Sequence, residues 1–333
     1  AYLLIQNCEN RILQPVLAEN NPYQLFSCLH RYYTPQSTAY ALAISANGQT
    51  LISGGSDKII TVRSLYTGRI IRTFSGHTDG IKSVAISPSG QTVISCSWDN
   101  TVKVWNLQNA GNYGGSFPHS KTLESGLLYT MIPHSASVNC VVFSPNGQAF
   151  ATASEDYTIK LWDLRRPRLI STFSGHKEAV KSIAISPDGK LLASASADST
   201  IKLWNLETGE LLHTLTGHSD WVKCVTISPD SKFLVSGAQD KTIKVWNLQT
   251  GELVNTLLGH WQEVNSVAIG DNGHTIVSGS WDKTIIVWHL QTGTQLHVLE
   301  GHQDAVAAVA ITPNGDKIVS SSWENTIRVW GVR

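Results

Sequence analysis

Apolar and polar residues alternate in short runs along this chain, and residues 175–217 show the pattern in one complete unit. Residues 179–186 put apolar side chains at alternating positions, which is a strand pattern. Pro187, Asp188 and Gly189 form a turn signal, and residues 191–196 make a second strand. Asp198 and Ser199 mark a tight turn before a third alternating run at 200–206. Glu207, Thr208 and Gly209 turn the chain again ahead of a fourth run at 211–215. Four short strands joined by hairpin turns predict one small twisted antiparallel sheet. Such a sheet is apolar on both faces and cannot bury both alone, so copies of it must stack face to face.

The copies are countable. Gly76-His77 is followed by Asp99 and Trp105, and Gly175-His176 by Asp198 and Trp204. Gly217-His218 leads to Asp240 and Trp246, and Gly259-His260 to Asp282 and Trp288. The acid always stands 22 residues after the histidine, and the tryptophan six residues further on. His134, Asp156 and Trp162 keep the spacing with Pro133 in the glycine's place, and Gly301-His302, Glu324 and Trp330 keep it with glutamate for aspartate. Pro35, Asp57 and Arg63 keep the count without the histidine or the tryptophan. Seven copies at a period of 42 residues define a repeat architecture.

Closing the stack into a ring covers every face. The expected fold is therefore all-β: a seven-bladed β-propeller of four-stranded antiparallel blades over residues 25–333. The last copy ends after its third strand, and subtracting one period from residues 70–74 points to residues 28–32 as the missing fourth. An N-terminal strand should thus complete the last blade. One unit is 15 residues longer than the rest, which places an insertion at about 108–126, in part Gly- and Asn-rich, on the narrower face. Residues 1–24 stand outside the repeat. Apolar residues between Tyr2 and Leu17 suggest a short amphipathic helix interrupted by Pro15, either a cap on the propeller or the remnant of an upstream domain.

Each unit also carries a hydroxyl four residues before the acid: Ser53, Ser95, Thr152, Ser194, Ser236, Ser278 and Ser320. Serine, histidine and aspartate could be read as a hydrolytic triad. Catalytic constellations are unique in a chain, whereas this one recurs, so a structural network is the expectation. Acid, histidine, hydroxyl and indole would satisfy one another's buried polar atoms and tie the loop entering the first strand to the turn after the second.

Gly-His, a strand, Pro-Asp-Gly, a serine, then Asp-x-Thr and a Trp followed by Asn or Asp resembles the WD40-repeat family over residues 26–333. Among the six tryptophans at the network position, only Trp162 is followed directly by aspartate, Asp163. Three positions per unit, three and five after the histidine and one before the acid, project onto the face that carries the histidine loop and the acid turn. The resemblance implies that this face is the wider mouth and binds partners. The candidate binding residues there are Tyr40, Lys82, Trp98, Glu155, Lys181, Trp221, Lys223, Gln239, Glu263, Trp281 and Trp323. Asn139, Asn265 and Ala307 occupy equivalent positions. Eleven tryptophans are present, of which six are network members and four fall on this face. Trp is enriched at binding hot spots, and a mixed aromatic and charged ring suits a peptide or protein loop.

Composition changes the picture in two ways. Formal net charge is zero, from 25 basic and 25 acidic residues, which argues against an extended phosphate-binding surface. The five cysteines make an odd set without a close pair, which suits a reducing cytoplasm. No apolar run reaches membrane-span length. The expectation is a non-catalytic protein-interaction scaffold, monomeric as a propeller, without cofactor, metal or membrane association. The resemblance further implies a docking or sensing module of a larger signalling protein, as in bacterial and notably cyanobacterial WD40 arrays. The alternative is a nucleic-acid binder using Lys82, Lys181, Lys223 and stacking tryptophans. An enzyme fits least, because no carboxylate pair, metal cluster or phosphate loop is evident.

Overall fold

The computed structural model describes residues 21–34, 37–107 and 126–332. Within them lie seven four-stranded antiparallel sheets. Blade 1 is built from Ala39–Ile44, Thr50–Gly55, Ile59–Ser64 and Ile70–Ser75 in sequential order, and blades 2 to 6 repeat that order. Blade 7 takes Val306–Ile311, Lys317–Ser322 and Thr326–Gly331 from the C-terminal end and its outer strand, Ser27–Tyr33, from the N-terminal end. That outer strand runs antiparallel to Thr326–Gly331, with Tyr32 opposite Ile327 and Arg31 opposite Arg328. The first strands of successive blades lie against one another all the way round, Val306–Ile311 against Ala39–Ile44 included, so the ring is closed.

The core is a set of layers between blades rather than one central mass. Ile201 and Leu203 of blade 4, for example, pack on Val222, Leu234 and Trp246 of blade 5. Six of the seven layers contain the tetrad tryptophan of the following blade. The seventh, between blades 7 and 1, has Ala39, Leu51, Leu65, Val319, Ile327 and Val329 and no indole. Tyr32 from the closing strand packs there, its hydroxyl donating to the Leu65 carbonyl at 3.2 Å.

Packing onto the propeller is already under way at Asn21, whose side chain donates to the Leu296 carbonyl at 2.9 Å. A short 3-10 turn, Pro22–Leu25, follows. Tyr23 and Phe26 are buried in the layer between blades 6 and 7, and the Tyr23 hydroxyl lies 3.1 Å from that of Thr275. The helix expected between Tyr2 and Leu17 and the insertion expected at about 108–126, Gly126 apart, lie outside the described residues.

The turn between second and third strands needs a left-handed residue. The residue after the acid has φ between 61° and 72° in every blade, from Asn325 to Lys283. This geometry swings the acid back toward the histidine loop and fixes where the two meet.

Candidate functional site

The repeated network is present in blades 2 to 7. Each histidine Nδ1 lies 2.7–2.9 Å from its acid, in pairs His77–Asp99, His134–Asp156, His176–Asp198, His218–Asp240, His260–Asp282 and His302–Glu324. Each Nε2 lies 2.7–2.8 Å from Ser95, Thr152, Ser194, Ser236, Ser278 or Ser320. The indole N–H of Trp105, Trp162, Trp204, Trp246, Trp288 or Trp330 donates to the same hydroxyl at 2.8–3.0 Å. With the acid ionised, Nδ1–H donates to it, and Nε2 accepts from the hydroxyl.

A fifth member completes the network, and the four-residue reading omits it. Thr101, Thr158, Thr200, Thr242, Thr284 and Thr326, two residues after the acid, donate to its carboxylate at 2.5–2.7 Å. The signal was available in the recurrent Asp-x-Thr. The other carboxylate oxygen accepts the backbone N–H of the residue after the histidine, as at Thr78 and Trp261. Burial pushes Asp99 up, but bonds from Thr101, the Thr78 backbone and His77 outweigh it and hold the acid at about 2. Glu324 is likewise held at about 2, despite burial, by Thr326 and His302. Burial drives His302 down to about 4 against the pull of Glu324, and lowers His77 and His134.

All six hydroxyls are fully buried, and each already serves both an imidazole and an indole. No substrate atom can approach them, so the arrangement has no catalytic geometry. The glycine before the histidine is explained by the indole. At Gly217 (φ 155°) an added Cβ would sit 3.1 Å from the Trp246 ring, and at Gly259 2.7 Å from Trp288. Pro133 replaces that glycine in blade 3, and Trp162 is the most exposed of the six indoles at 8%.

The second feature lies at the channel mouth on the face of the histidine loops. A concavity of about 330 Å³ is lined there by Trp98, Trp221, Trp281 and Trp323, with Tyr40, Lys82, Lys181 and Lys223 among them. The four indoles are 40–44% exposed. Tyr40 meets Trp98 edge-on (centroids 5.3 Å apart) and Trp323 at a tilt (5.7 Å), and Trp323 meets Trp281 at a tilt (5.7 Å). These contacts link Trp98, Tyr40, Trp323 and Trp281 into one arc over blades 2, 1, 7 and 6.

The lysines are tied to neighbouring blades. Lys181 donates to Glu155 at 2.9 Å, and Lys82 lies 3.8 Å from the same carboxylate while bonding Asn139. Lys223 pairs with Glu263 and donates to Asn265 at 2.9 Å. Their ammoniums also face the rings of Trp221, Trp98 and Trp281, 5.2–5.7 Å from the centroids. Asn139 and Asn265 bridge onward, donating to the Val180 and Val306 carbonyls of the next blade. Glu155 and Glu263 thus sit behind the lining rather than in it, and Gln239 is half-buried outside it. Trp261, 81% exposed, also stands clear of the concavity.

This fold, with the networks in six of its blades, defines a WD40-repeat β-propeller, and the family model described as WD domain, G-beta repeat matches residues 26–63 and 293–331. A second model, described as the WDR3 second beta-propeller domain, matches residues 60–296, and the chain belongs to that family of WD40 propellers. Curated relatives include the bovine pre-mRNA-processing factor 19, 28% identical over 44% of this chain and 35% of that protein. An uncharacterised WD repeat-containing protein of Synechocystis is 31% identical over 46% of this chain and 38% of its own length. The periodic tryptophan protein 2 homolog of Schizosaccharomyces pombe is 26% identical over 40% of this chain and 14% of its own. The matched region thus spans well under half the length of each of these relatives.

Proposed function

We propose that this chain is a non-catalytic docking module that binds a peptide or loop of a protein partner on the face bearing Trp98, Trp221, Trp281 and Trp323. The observation that carries this reading is the aromatic arc: Trp98, Tyr40, Trp323 and Trp281 in serial contact around one concavity that Trp221 also lines. Exposed indoles cost solubility, and large rigid rings around a recess are the usual anchors of protein interfaces. Tyr40, Lys82, Lys181 and Lys223 complete the contact surface, with Glu155 and Glu263 holding the lysines in place and Gln239 on the rim. The same pairing weighs against nucleic acid. A phosphate backbone is bound by a row of unmatched cations along a track, and here Lys181 and Lys223 are each paired with a carboxylate. On this reading the propeller serves docking or sensing.

The test compares the wild-type chain with a Tyr40→Ala, Trp98→Ala, Trp323→Ala variant as immobilised bait in lysate of the source cells. Proteins captured by the wild type should be lost by the variant while the far-ultraviolet spectrum and melting temperature hold. Capture that survives the triple change would refute top-face docking.

A further inference from the structure

Three ammonium groups line the top-face concavity, and among the described residues that line it there is no carboxylate. Lys82 and Lys181 share Glu155 from outside the lining, whereas Lys223 has Glu263 to itself. One carboxylate between two ammoniums leaves a positive charge unmatched at blades 2 to 4. The far side of the same mouth is aromatic, and there the position that holds lysine or asparagine in blades 2 to 6 is Ala307. A methyl group between the blades of Trp281 and Tyr40 leaves room for a bulky side chain.

Resting on the docking reading above, we propose that the mouth takes an acidic segment of a partner protein, with an Asp or Glu carboxylate seated between Lys82 and Lys181 and an apolar side chain a few residues away over Ala307. A second carboxylate would complete an alternating set of two ammoniums and two acids. The lysines are ready for it. Asn139 accepts from the Lys82 ammonium and the rings of Trp98 and Trp221 face the Lys82 and Lys181 ammoniums, so little side-chain entropy remains to be lost on binding. Burial lowers the Lys82 ammonium most; Glu155 raises it, and Lys181 beside it lowers it again. A single unmatched charge in a concave mouth suits one carboxylate, whereas a nucleic-acid strand presents a row of phosphates.

The experiment pans short random peptides displayed on phage against the intact chain and measures the affinity of a synthetic copy of the most enriched sequence. Enriched peptides should carry Asp or Glu within a few residues of a large apolar residue. Lys181→Met, which removes the charge and keeps an unbranched apolar side chain, should weaken binding about tenfold, and Lys82→Met serves if that variant fails to fold. Glu155→Gln should tighten binding by about threefold or more, because both ammoniums become free for the ligand. A purely structural Glu155 would shift the affinity the other way. Enriched peptides without acidic residues, or weaker binding to Glu155→Gln, overturn this inference while leaving top-face docking intact provided Trp323→Ala still abolishes binding. An absence of any enriched peptide overturns both.

Discussion

The guanidinium of Arg63 sits 5.8 Å over the ring of Tyr32, at the only one of the seven blade junctions whose core layer has no tetrad indole. Arg63 stands where the other units have tryptophan, and Tyr32 belongs to the strand that closes the ring. The ring is therefore sealed by a tyrosine at the junction where the repeat has lost its own aromatic. Arg31 on the same strand lies 3.7 Å from Glu324, the network acid of blade 7.

Tyr32→Ala should cost about 2–4 kcal/mol, as a large side chain is removed from a packed layer. Tyr32→Phe should cost about 1 kcal/mol, for the single bond to Leu65. Arg31→Ala removes a half-exposed ion pair and should cost under about 1 kcal/mol. Deleting residues 26–33 should open the ring and produce aggregation on gel filtration. Urea denaturation of the point variants and gel filtration of the deletion product are the checks; a stable monomer after deletion would contradict closure.

Ser236→Ala should destabilise by about 1–3 kcal/mol, because it strands the His218 Nε2 and the Trp246 indole N–H in a dry layer. Ser53→Ala in blade 1 should cost less, since that unit has neither partner residue at its histidine and tryptophan positions. Equal losses in urea melts would remove the distinction drawn between the blades.

Thr101→Val should raise Asp99 from about 2 toward the ordinary carboxylate range, because the shortest bond to that carboxylate disappears. Carbon-detected NMR titration of the aspartate side chains reads this directly, and an unmoved Asp99 would show that the threonine is a bystander.

Stability should fall with pH in two steps. His302 is held at about 4 in the fold and returns to about 6.5 when unfolded, so below pH 6.5 the unfolded chain binds the proton more readily. The associated stability, on the order of 3 kcal/mol, is complete above pH 6.5 and is lost as the pH falls toward 4. Asp99 and Glu324, held at about 2, add a second loss as the pH falls from their unfolded values toward 2. Melting temperatures at pH 7.5, 5.5 and 4 should decline in that order; a constant value across the first step would contradict the buried neutral imidazole.

Much of this was legible because a repeat reports its own structure. Spacing alone located every histidine–acid–tryptophan set, and one period of subtraction placed residues 28–32 as the closing strand. The exposed indoles were legible as well, since Trp98, Trp281 and Trp323 precede the acid in a turn that must face solvent. What the spacing did not reveal depends on contacts between blades. Glu155 is 73 residues from Lys82, and its partners follow from the ring's curvature rather than from any local pattern. Tyr32 as the filler of the blade 7 junction is hidden for the same reason. The threonine of the network is inconspicuous in the sequence because a strand-favouring residue at a strand start needs no further explanation.

Blade 6 offers the most direct test, because it carries two tryptophans seven residues apart with opposite assignments. Trp281 is 40% exposed on the mouth and Trp288 is 1% exposed in the network. The decisive measurement is melting temperature and peptide affinity for Trp281→Ala and Trp288→Ala side by side. The first should lose affinity at near-native stability, within about 1 kcal/mol, and the second should lose about 3–5 kcal/mol of stability. Full affinity in Trp281→Ala, or native stability in Trp288→Ala, would contradict the division between the binding face and the structural network.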